Sequence, residues 1–429
     1  KQTLFDLKIN NLTTTPSDLK QILTFVKIPK QLDNAGIISF KGTYFGFTND
    51  FVAKGALNTT NLGNLVTDVR MIFPKGQAPK YSGSIMAKGL NLAELTGNHK
   101  LLGTADLNIN ADGNGFKAKD LNTKLTGTIS NFYLNGFVFD KIKVDGLLLK
   151  KQFNGKAFFD DGCFLVDFDG IIDFNDTIPS YNFTTSIKNA DLNQLHFTKD
   201  TLVISLDGKI QGKGNKIDNF TGIGRFRNII IQNSKDILNL SDVVINMLND
   251  GAVKDYNITS DQFNANVHGK FDPLTIVPSM KVFLSKYSKL VKPTEKDLKQ
   301  FKPQQLTANV KLKSDFGLIK VFVPQLNYIS ELDLNAEINT DENILNIKTQ
   351  LDSINYSGIG INKINITGNT NNTELVLNGN IDKVSIKQTD IKDIKLELNS
   401  SLHQLLTNLN VSNDSSDNSI RLATTLDFN

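Results

Sequence analysis

The sequence predicts an all-β protein: an elongated, curled, antiparallel-rich sheet that forms an open trough with an apolar lumen and carries a few short helices. Two observations lead to this prediction. Apolar and polar residues alternate along most of the chain, which places them on opposite faces of a strand. Short turns rich in Gly, Asn and Asp separate the alternating segments. The 429 residues are 39% hydrophobic and 21% charged, as expected of a water-soluble chain with substantial burial.

The alternation is clearest between residues 164 and 174. Its apolar positions are Phe164, Val166, Phe168, Gly170, Ile172 and Phe174. Asp167, Asp169 and Asp173 stand between them, so one face of this strand is apolar and the other largely polar. Residues 202–210 and 332–338 repeat the pattern. A long sheet of this kind must cover its apolar face, and the nature of the cover decides the function.

Hairpins are expected between these strands. Gly, Asn and Asp cluster at 112–115, 154–155 and 213–215, where apolar alternation breaks off on both sides. A weak tag, Asn or Asp-Leu-x-x-Leu, recurs at 61–65, 91–95 and 191–195. An Asx cap followed by two leucines three residues apart predicts one helical turn that closes a hairpin with its leucines turned inward.

Two segments depart from the strand pattern. Thr15, Pro16 and Asp18 form a helix-start signal, and a helix over about 16–28 should end before Pro29. The second helix is predicted from 278 to 291, with an apolar stripe and several lysines. The predicted organisation is a trough segment over 1–272, a helical insertion over 273–303 and a continuing trough segment over 304–429. The second helix has two interpretations: a lid packed on the apolar face, or insertion at an anionic membrane surface.

Catalytic chemistry has little support. Cys163 is the only cysteine, so an internal disulfide is excluded and a buried, inert thiol is the default. The four histidines match no zinc motif, and no nucleophile elbow or phosphate-binding loop is present. Asp167, Asp169 and Asp173 share a face where calcium binding is conceivable, but a solvated face explains them better. We expect no enzyme activity, no metal and no cofactor.

Charge and hydropathy exclude further classes. A net charge of +3 is too small to indicate nucleic-acid binding. No run of about 18 apolar residues could span a bilayer as a helix. The chain begins at Lys1, without a methionine, so we expect any signal or anchor to lie upstream.

Three covers for the apolar face can be compared. A sandwich would show domains of about 100 residues with linkers, and only 273–303 interrupts the pattern. A lipid-facing outer-membrane barrel would carry girdles of Trp and Tyr, but the chain has no Trp and 8 Tyr. The third cover is an open trough, in which the apolar faces of the strands line a continuous groove. Leaving that groove exposed to water would be unfavourable, and acyl chains would remove this cost.

Several segments carry a resemblance to a known family. They are residues 40–46 (FKGTYFG), 49–55 (NDFVAKG), 61–65 (NLGNL), 81–85 (YSGSI), 91–95 (NLAEL), 137–146 (FVFDKIKVDG) and 189–195 (NADLNQL). Together they resemble the large TamB-type envelope proteins of Bacteroidetes, within the AsmA-like group. The resemblance covers roughly residues 30–270, and the rest of the chain is similar only in its general pattern.

The resemblance implies a bridge-like protein with a β-taco trough. Such proteins are anchored in the inner membrane by an N-terminal helix, cross the periplasm, and are associated with phospholipid movement and outer-membrane protein assembly alongside a BamA-like barrel partner. This chain would be a middle section of the bridge. Neither the family's anchor nor its partner-binding domain is identifiable here, so the barrel partner would be engaged through regions outside this chain.

The leading hypothesis is a non-enzymatic periplasmic conduit that moves phospholipid between the inner and outer membranes along a hydrophobic groove. The residues expected to contact acyl chains are Val69, Met71, Phe73, Leu107, Ile109, Leu125, Phe164, Val166, Phe168, Ile172, Ile204, Leu206, Leu334 and Ile338. For each of them ordinary core packing is the competing interpretation. The alternatives at the level of function are a scaffold or chaperone that offers sheet edges to outer-membrane strands, and a secreted β-sandwich adhesin.

Overall fold

The computed structural model describes residues 3–22, 30–162, 164–234, 236–313, 325–371, 373–412 and 419–428. Over these residues the chain is almost entirely β, with 25 strands joined by hydrogen bonds into one open antiparallel sheet. The predicted all-β fold class, with an antiparallel sheet and a few short helices, is confirmed. The chain divides into two compact units, residues 1–210 and 211–429. Cys163 lies outside the described residues.

The first unit is a meander in which each strand from β1 to β11 pairs antiparallel with the next. The pairing follows from the short turns, because a tight hairpin can only join antiparallel neighbours. The turn predicted at 154–155 is wrong: these residues are paired on both sides within a strand, and the preceding turn lies at 150–151. The strands are β1 Phe5–Thr14, β2 Ile38–Phe47, β3 Asp50–Thr59, β4 Gly63–Ile72, β5 Lys80–Asn91, β6 Thr104–Asn114, β7 Asn122–Leu134, β8 Phe137–Leu149, β9 Gln152–Asp160, β10 Leu165–Asp173, β11 Ser180–Asp191 and β12 Val203–Lys213, whose last residues belong to the second unit.

The second unit continues with the same antiparallel order, except that β17 pairs with β19 while β18 pairs with β20. The strands are β13 Thr221–Gln232, β14 Ile237–Asn249, β15 Lys254–Ser260, β16 Phe263–Lys270, β17 Gln305–Leu312, β18 Leu326–Ile329, β19 Leu332–Asn339, β20 Ile344–Tyr356, β21 Ile359–Thr370, β22 Leu375–Ile386, β23 Thr389–Ser400, β24 Gln404–Ser412 and β25 Ser419–Asp427. Both β18 and β19 lie along β20, at different parts of its length.

The helices are short. They are α1 Pro16–Ile22, α2 Leu92–Thr96, α3 Ile276–Leu284 and α4 Glu295–Gln300, with 3-10 turns at Lys30–Asn34, Ala118–Asp120 and Ile217–Asn219. The first predicted helix does begin at Pro16, and the part predicted over residues 23–29 lies outside the described residues.

The second predicted helix is shorter than expected. Helix α3 ends at Leu284, and the chain then continues through turns to residue 291. Tertiary contacts explain the early end, because the carbonyl oxygen of Tyr287 accepts a hydrogen bond of 2.9 Å from the hydroxyl of Ser400. Tyr287 is therefore held by the sheet rather than by a further helical turn.

Only one of the three Asx-Leu-x-x-Leu tags forms a helix. In α2 the side chain of Asn91 accepts a hydrogen bond from the backbone N–H of Glu94, at 3.2 Å, as an N-cap does. The tag at 61–65 runs directly into β4, and the tag at 191–195 is a turn closed on the Asp191 carboxylate. The inward orientation of the leucines holds best for Leu62, which is 2% exposed.

Glycines allow neighbouring strands of the first unit to approach each other closely. Gly146, Gly155 and Gly170 oppose one another on β8, β9 and β10. A Cβ on Gly155 would lie 2.3 Å from the Cα of Gly146, and one on Gly170, where φ is +148°, would lie 2.3 Å from the carbonyl oxygen of Asn182. Side chains of any size are excluded where the strands approach each other this way.

Candidate functional site

The apolar face of the first unit is ordered into rows, where a row means residues directly opposed across successive strands. Leu107 and Val166 share one row, and Ile109 shares the next with Phe168. A third row joins Val69 to Leu125, and a fourth joins Met71 to Ile172. Residues far apart in sequence thus lie on one face, as period-two alternation predicts.

Burial along these rows is partial. Of the fourteen predicted lining residues, thirteen are half-buried and only Phe164, at 5% exposure, is fully buried. Neighbours in the same sheet shield the sides of each side chain, whereas a second packed layer would bury its tip as well. Most of the predicted lining residues are therefore packed laterally and not covered, although Ala111, Thr123 and Ile142 in the same rows are fully buried.

Aromatic rings also lie at the strand ends, on either side of the four rows. Phe164 lies just before β10, and its ring contacts those of Phe137 and Phe139 at centroid distances of 5.8 Å and 6.1 Å. Phe73 follows β4, and its ring stacks on Phe51 at 6.1 Å. Ordinary core packing explains the full burial of Phe164, whereas Phe73 is only half-buried.

Phe168 occupies the middle of an aromatic run. Its ring lies 6.0 Å from the ring of Phe153 and 5.0 Å from that of Phe183. Tilted ring contacts of this kind stabilise the packing of neighbouring strands on the apolar face.

On β12, Ile204 and Leu206 are half-buried, whereas Asp207 and Lys209 are exposed. The Asp207 carboxylate accepts a hydrogen bond of 2.6 Å from Ser186 on β11, on the polar face. Ile204 and Leu206 therefore face the same side as the apolar rows.

The second unit has an equivalent face. Leu334 lies in a row that runs through eleven strands from β14 to β25. Its members are Ile245, Ile258, Ala265, Val310, Leu334, Thr349, Ile366, Gly379, Leu396, Leu409 and Leu422. From Ile245 to Leu409 every side chain of this row is half-buried, and Gly379, which has no side chain, is buried.

Ile366, Leu396 and Leu409 share this row with Leu334, but the sequence analysis did not predict them. The same signal could have found them, because Ile364, Ile366 and Gly368 alternate with polar residues as clearly as the residues around Leu334 do.

Ile338 differs from the other predicted lining residues because a helical lid covers it. The lid, residues 276–302, comprises α3, α4 and the turns between them. Phe283 and Tyr287, at 0% and 1% exposure, pack with Leu345, and Ile338, Ile347 and Leu375 surround the cluster. The side of this segment that faces the sheet therefore packs as the lid interpretation expects.

A buried polar network fixes the lid to the strand ends. The Gln304 side chain is 1% exposed, and its amide nitrogen donates to the Thr275 hydroxyl at 3.1 Å. The backbone N–H of Gln304 donates to the Thr340 hydroxyl at 2.9 Å. The Lys302 ammonium binds the Asp272 carboxylate at 2.5 Å.

Two ionisable groups near the lid are perturbed. Burial alone would raise the pKa of Asp272, but the ammonium of Lys302 and the backbone N–H of Leu274 outweigh it and hold that pKa below its ordinary value. Burial, together with the carboxylates of Asp218 and Asp272, raises the pKa of Tyr256 to about 12. These shifts follow from packing and ion pairing at the base of the lid.

The opposite face of the sheet carries cross-strand charges. Lys54 pairs with Asp68 at 2.8 Å, and Lys156 pairs with Asp169 at 3.5 Å, in both cases directly across neighbouring strands. Asp173 instead accepts hydrogen bonds from the side chains of Gln152 and Asn175. Exposed pairs of this kind contribute little stability and mainly keep the outer face polar.

Within the described ranges, no group of three or more His, Cys, Asp or Glu side chains is arranged to hold a metal ion. No helix among the described residues is both long enough and apolar enough to span a bilayer.

Comparison with known proteins gives no family assignment: no family model, no curated protein and no solved structure matches this chain.

Proposed function

We propose that this chain is part of a non-enzymatic periplasmic lipid conduit that moves phospholipid between the inner and outer membranes, with acyl chains lying on the apolar rows. The observation that carries the proposal is the half-burial of thirteen of the fourteen predicted lining residues. Except for Ile338, which the lid covers, these residues are packed at their sides but still lack a cover. The resemblance to TamB-type envelope proteins supports the periplasmic setting.

The energetic argument favours a hydrocarbon cover. Each 100 Å² of apolar surface left in water costs about 2.5 kcal/mol, at roughly 25 cal/mol per Å². Rows that extend through eleven strands of the second unit therefore present a large unfavourable surface. A covering acyl chain would remove this surface from water without any specific polar contact.

The dimensions of the face also suit lipid. Side chains on one face are two residues apart, or about 6.8 Å, so four rows span about 20 Å along the strands. One leaflet of a bilayer core is about 15 Å thick. The four rows of the first unit that carry predicted residues are thus wide enough for extended acyl chains. Head groups would remain at the open seam, in contact with water.

A site-specific crosslinking experiment tests the proposal. A photo-crosslinking amino acid at Phe168 should capture phospholipid in cells, whereas one at Asp169, on the polar face, should capture little. The adjacent pair Leu334 and Asn335 repeats the test in the second unit. Equal capture at apolar and polar positions in both pairs would contradict the conduit.

The scaffold alternative makes a different prediction for the same face. A scaffold acts through backbone edges and would assist outer-membrane protein assembly with a BamA-like partner. It should therefore tolerate a charge on the apolar face that keeps the fold, whereas a conduit should not.

A further inference from the structure

The lid has a second side that its packing on the sheet does not use. On α3, Ser279 and Phe283 are buried, whereas Val277 and Lys281 are exposed. Positions two apart on a helix point in nearly opposite directions, because each residue turns the helix by about 100°. Val277 and Lys281 therefore face away from the sheet.

Large apolar side chains elsewhere in the lid are exposed as well, and together with the exposed face of α3 they are called here the outer side of the lid. Val277, Leu290 and Leu298, from α3, the connecting turn and α4, are each more than half exposed, as is Leu274 just before the lid. The outer side thus offers apolar groups that no described part of the sheet shields.

Positive charge accompanies these side chains. The lid contains seven lysines and two acidic residues, a net charge of +5, in a chain whose total is +3. One of the acids, Asp297, is buried in the Thr294 cap and lies 3.8 Å from Lys281. Within the described residues no salt bridge engages Lys292, Lys296 or Lys299, and all three are exposed.

We propose that the outer side of the lid docks on an anionic lipid bilayer. Val277, Leu290 and Leu298 would enter the interface between head groups and acyl chains, while Lys292, Lys296 and Lys299 contact anionic head groups. Basic residues combined with apolar anchors are the chemistry that recognises such a surface, because electrostatic attraction and apolar burial add. The inference is independent of the conduit, since it uses the opposite side of the lid from the one that meets the rows.

Vesicle flotation with the full chain tests the proposal. The protein should float with vesicles of phosphatidylglycerol and phosphatidylcholine, and much less with phosphatidylcholine alone. Raising the salt from 0.15 M to 0.5 M should weaken association, because the Debye length shortens. Replacing Lys292, Lys296 and Lys299 with Gln should reduce partitioning roughly a hundredfold, at about 1 kcal/mol per lysine near the surface.

Matched control variants distinguish a loss of membrane docking from the effects of changed net charge or impaired folding. Lys209, Lys348 and Lys395 are exposed lysines on strands, so their replacement with Gln removes the same charge and should leave flotation unchanged. Val277→Ser, Leu290→Ser and Leu298→Ser together should also weaken flotation. The control is Val66→Ser, Val138→Ser and Leu248→Ser, at strand positions of similar exposure.

Three outcomes would overturn the proposal: equal flotation with neutral vesicles, equal loss in the lid variants and their controls, or no flotation. The last would leave an acidic protein surface as the partner. Phe168→Glu should not alter flotation, so failure of the conduit and failure of the docking surface are distinguishable.

Discussion

At the scale of single residues, glycine determines how closely neighbouring strands approach. Gly155 stands between Gly146 and Gly170, and a Cβ there would also lie 2.4 Å from the carbonyl oxygen of Asp145. Both atoms belong to the backbone of the adjacent strand, which cannot move aside as a flexible side chain could. The glycine is therefore required by sterics rather than by its own φ angle.

Gly155→Ala should destabilise the first unit by about 1–3 kcal/mol, the usual cost of forcing extra volume into a packed site. Thermal unfolding followed by circular dichroism measures the effect. Gly360→Ala is the matched control, because a Cβ there would come no closer than 3.7 Å to any neighbour. Equal melting temperatures for the two variants would show that the close approach of β8 and β9 is not a constraint.

At the scale of elements, the lid forms one of the buried clusters of the second unit. Phe283, Tyr287 and Leu345 are fully buried, whereas the row of Leu334 is only half-buried. The lid thus covers the strand ends near Ile338 and leaves the more central rows without helical cover. The pair of Lys302 and Asp272 fixes its base.

Asp272→Asn should destabilise the lid by about 1 kcal/mol at neutral pH, because a charge-assisted hydrogen bond is weakened. The pKa of Asp272 is lowered in the folded state, so its contribution is present above the unfolded value of about 3.9 and is lost as the pH falls through the folded value. The difference in melting temperature between wild type and variant should therefore persist at pH 5 and 7 and shrink below about pH 4.

Asp169→Asn provides the comparison for this pH series. Asp169 pairs with Lys156 on the exposed polar face, where an ion pair contributes little. A constant difference between wild type and Asp272→Asn down to pH 2 would mean that the carboxylate charge does not stabilise the lid.

At the scale of the whole molecule, the two compact units share one design: an apolar face in rows, a charged opposite face, and helices at strand ends. In the first unit, α1, the 3-10 turn at Lys30–Asn34 and α2 supply Leu19, Leu32 and Leu95 to a small core around Leu62. In the second unit the lid has the same position relative to its own strands. Each unit therefore buries a core at strand ends and presents its central rows.

A charge in the middle of these rows should prevent lipid retention. Ile366→Glu should abolish co-purification of phospholipid in native mass spectrometry, because a carboxylate cannot be buried under an acyl chain without a partner. Thr367→Glu, on the exposed face directly opposite Lys348, should retain it. Wild-type protein without any bound phospholipid, or equal retention in both variants, would contradict the conduit at this scale.

The sequence alone was sufficient for the fold class and for most of the candidate face. Period-two alternation specifies which side chains share a face, and short polar turns force antiparallel neighbours, so Leu107 and Val166 could be assigned to one surface without coordinates. It also indicated the start of α1 and the presence of a helical insertion.

The tertiary structure decided what local pattern cannot specify. The register aligned residues that are distant in sequence, such as Met71 and Ile172, into common rows. Contacts with the sheet ended α3 at Leu284 and buried Tyr287, and packing against other phenylalanines buried Phe164. The periodicity of the sequence indicates the direction in which a side chain points. Its burial depends on which distant segment covers it, and the arrangement of the whole sheet determines that segment.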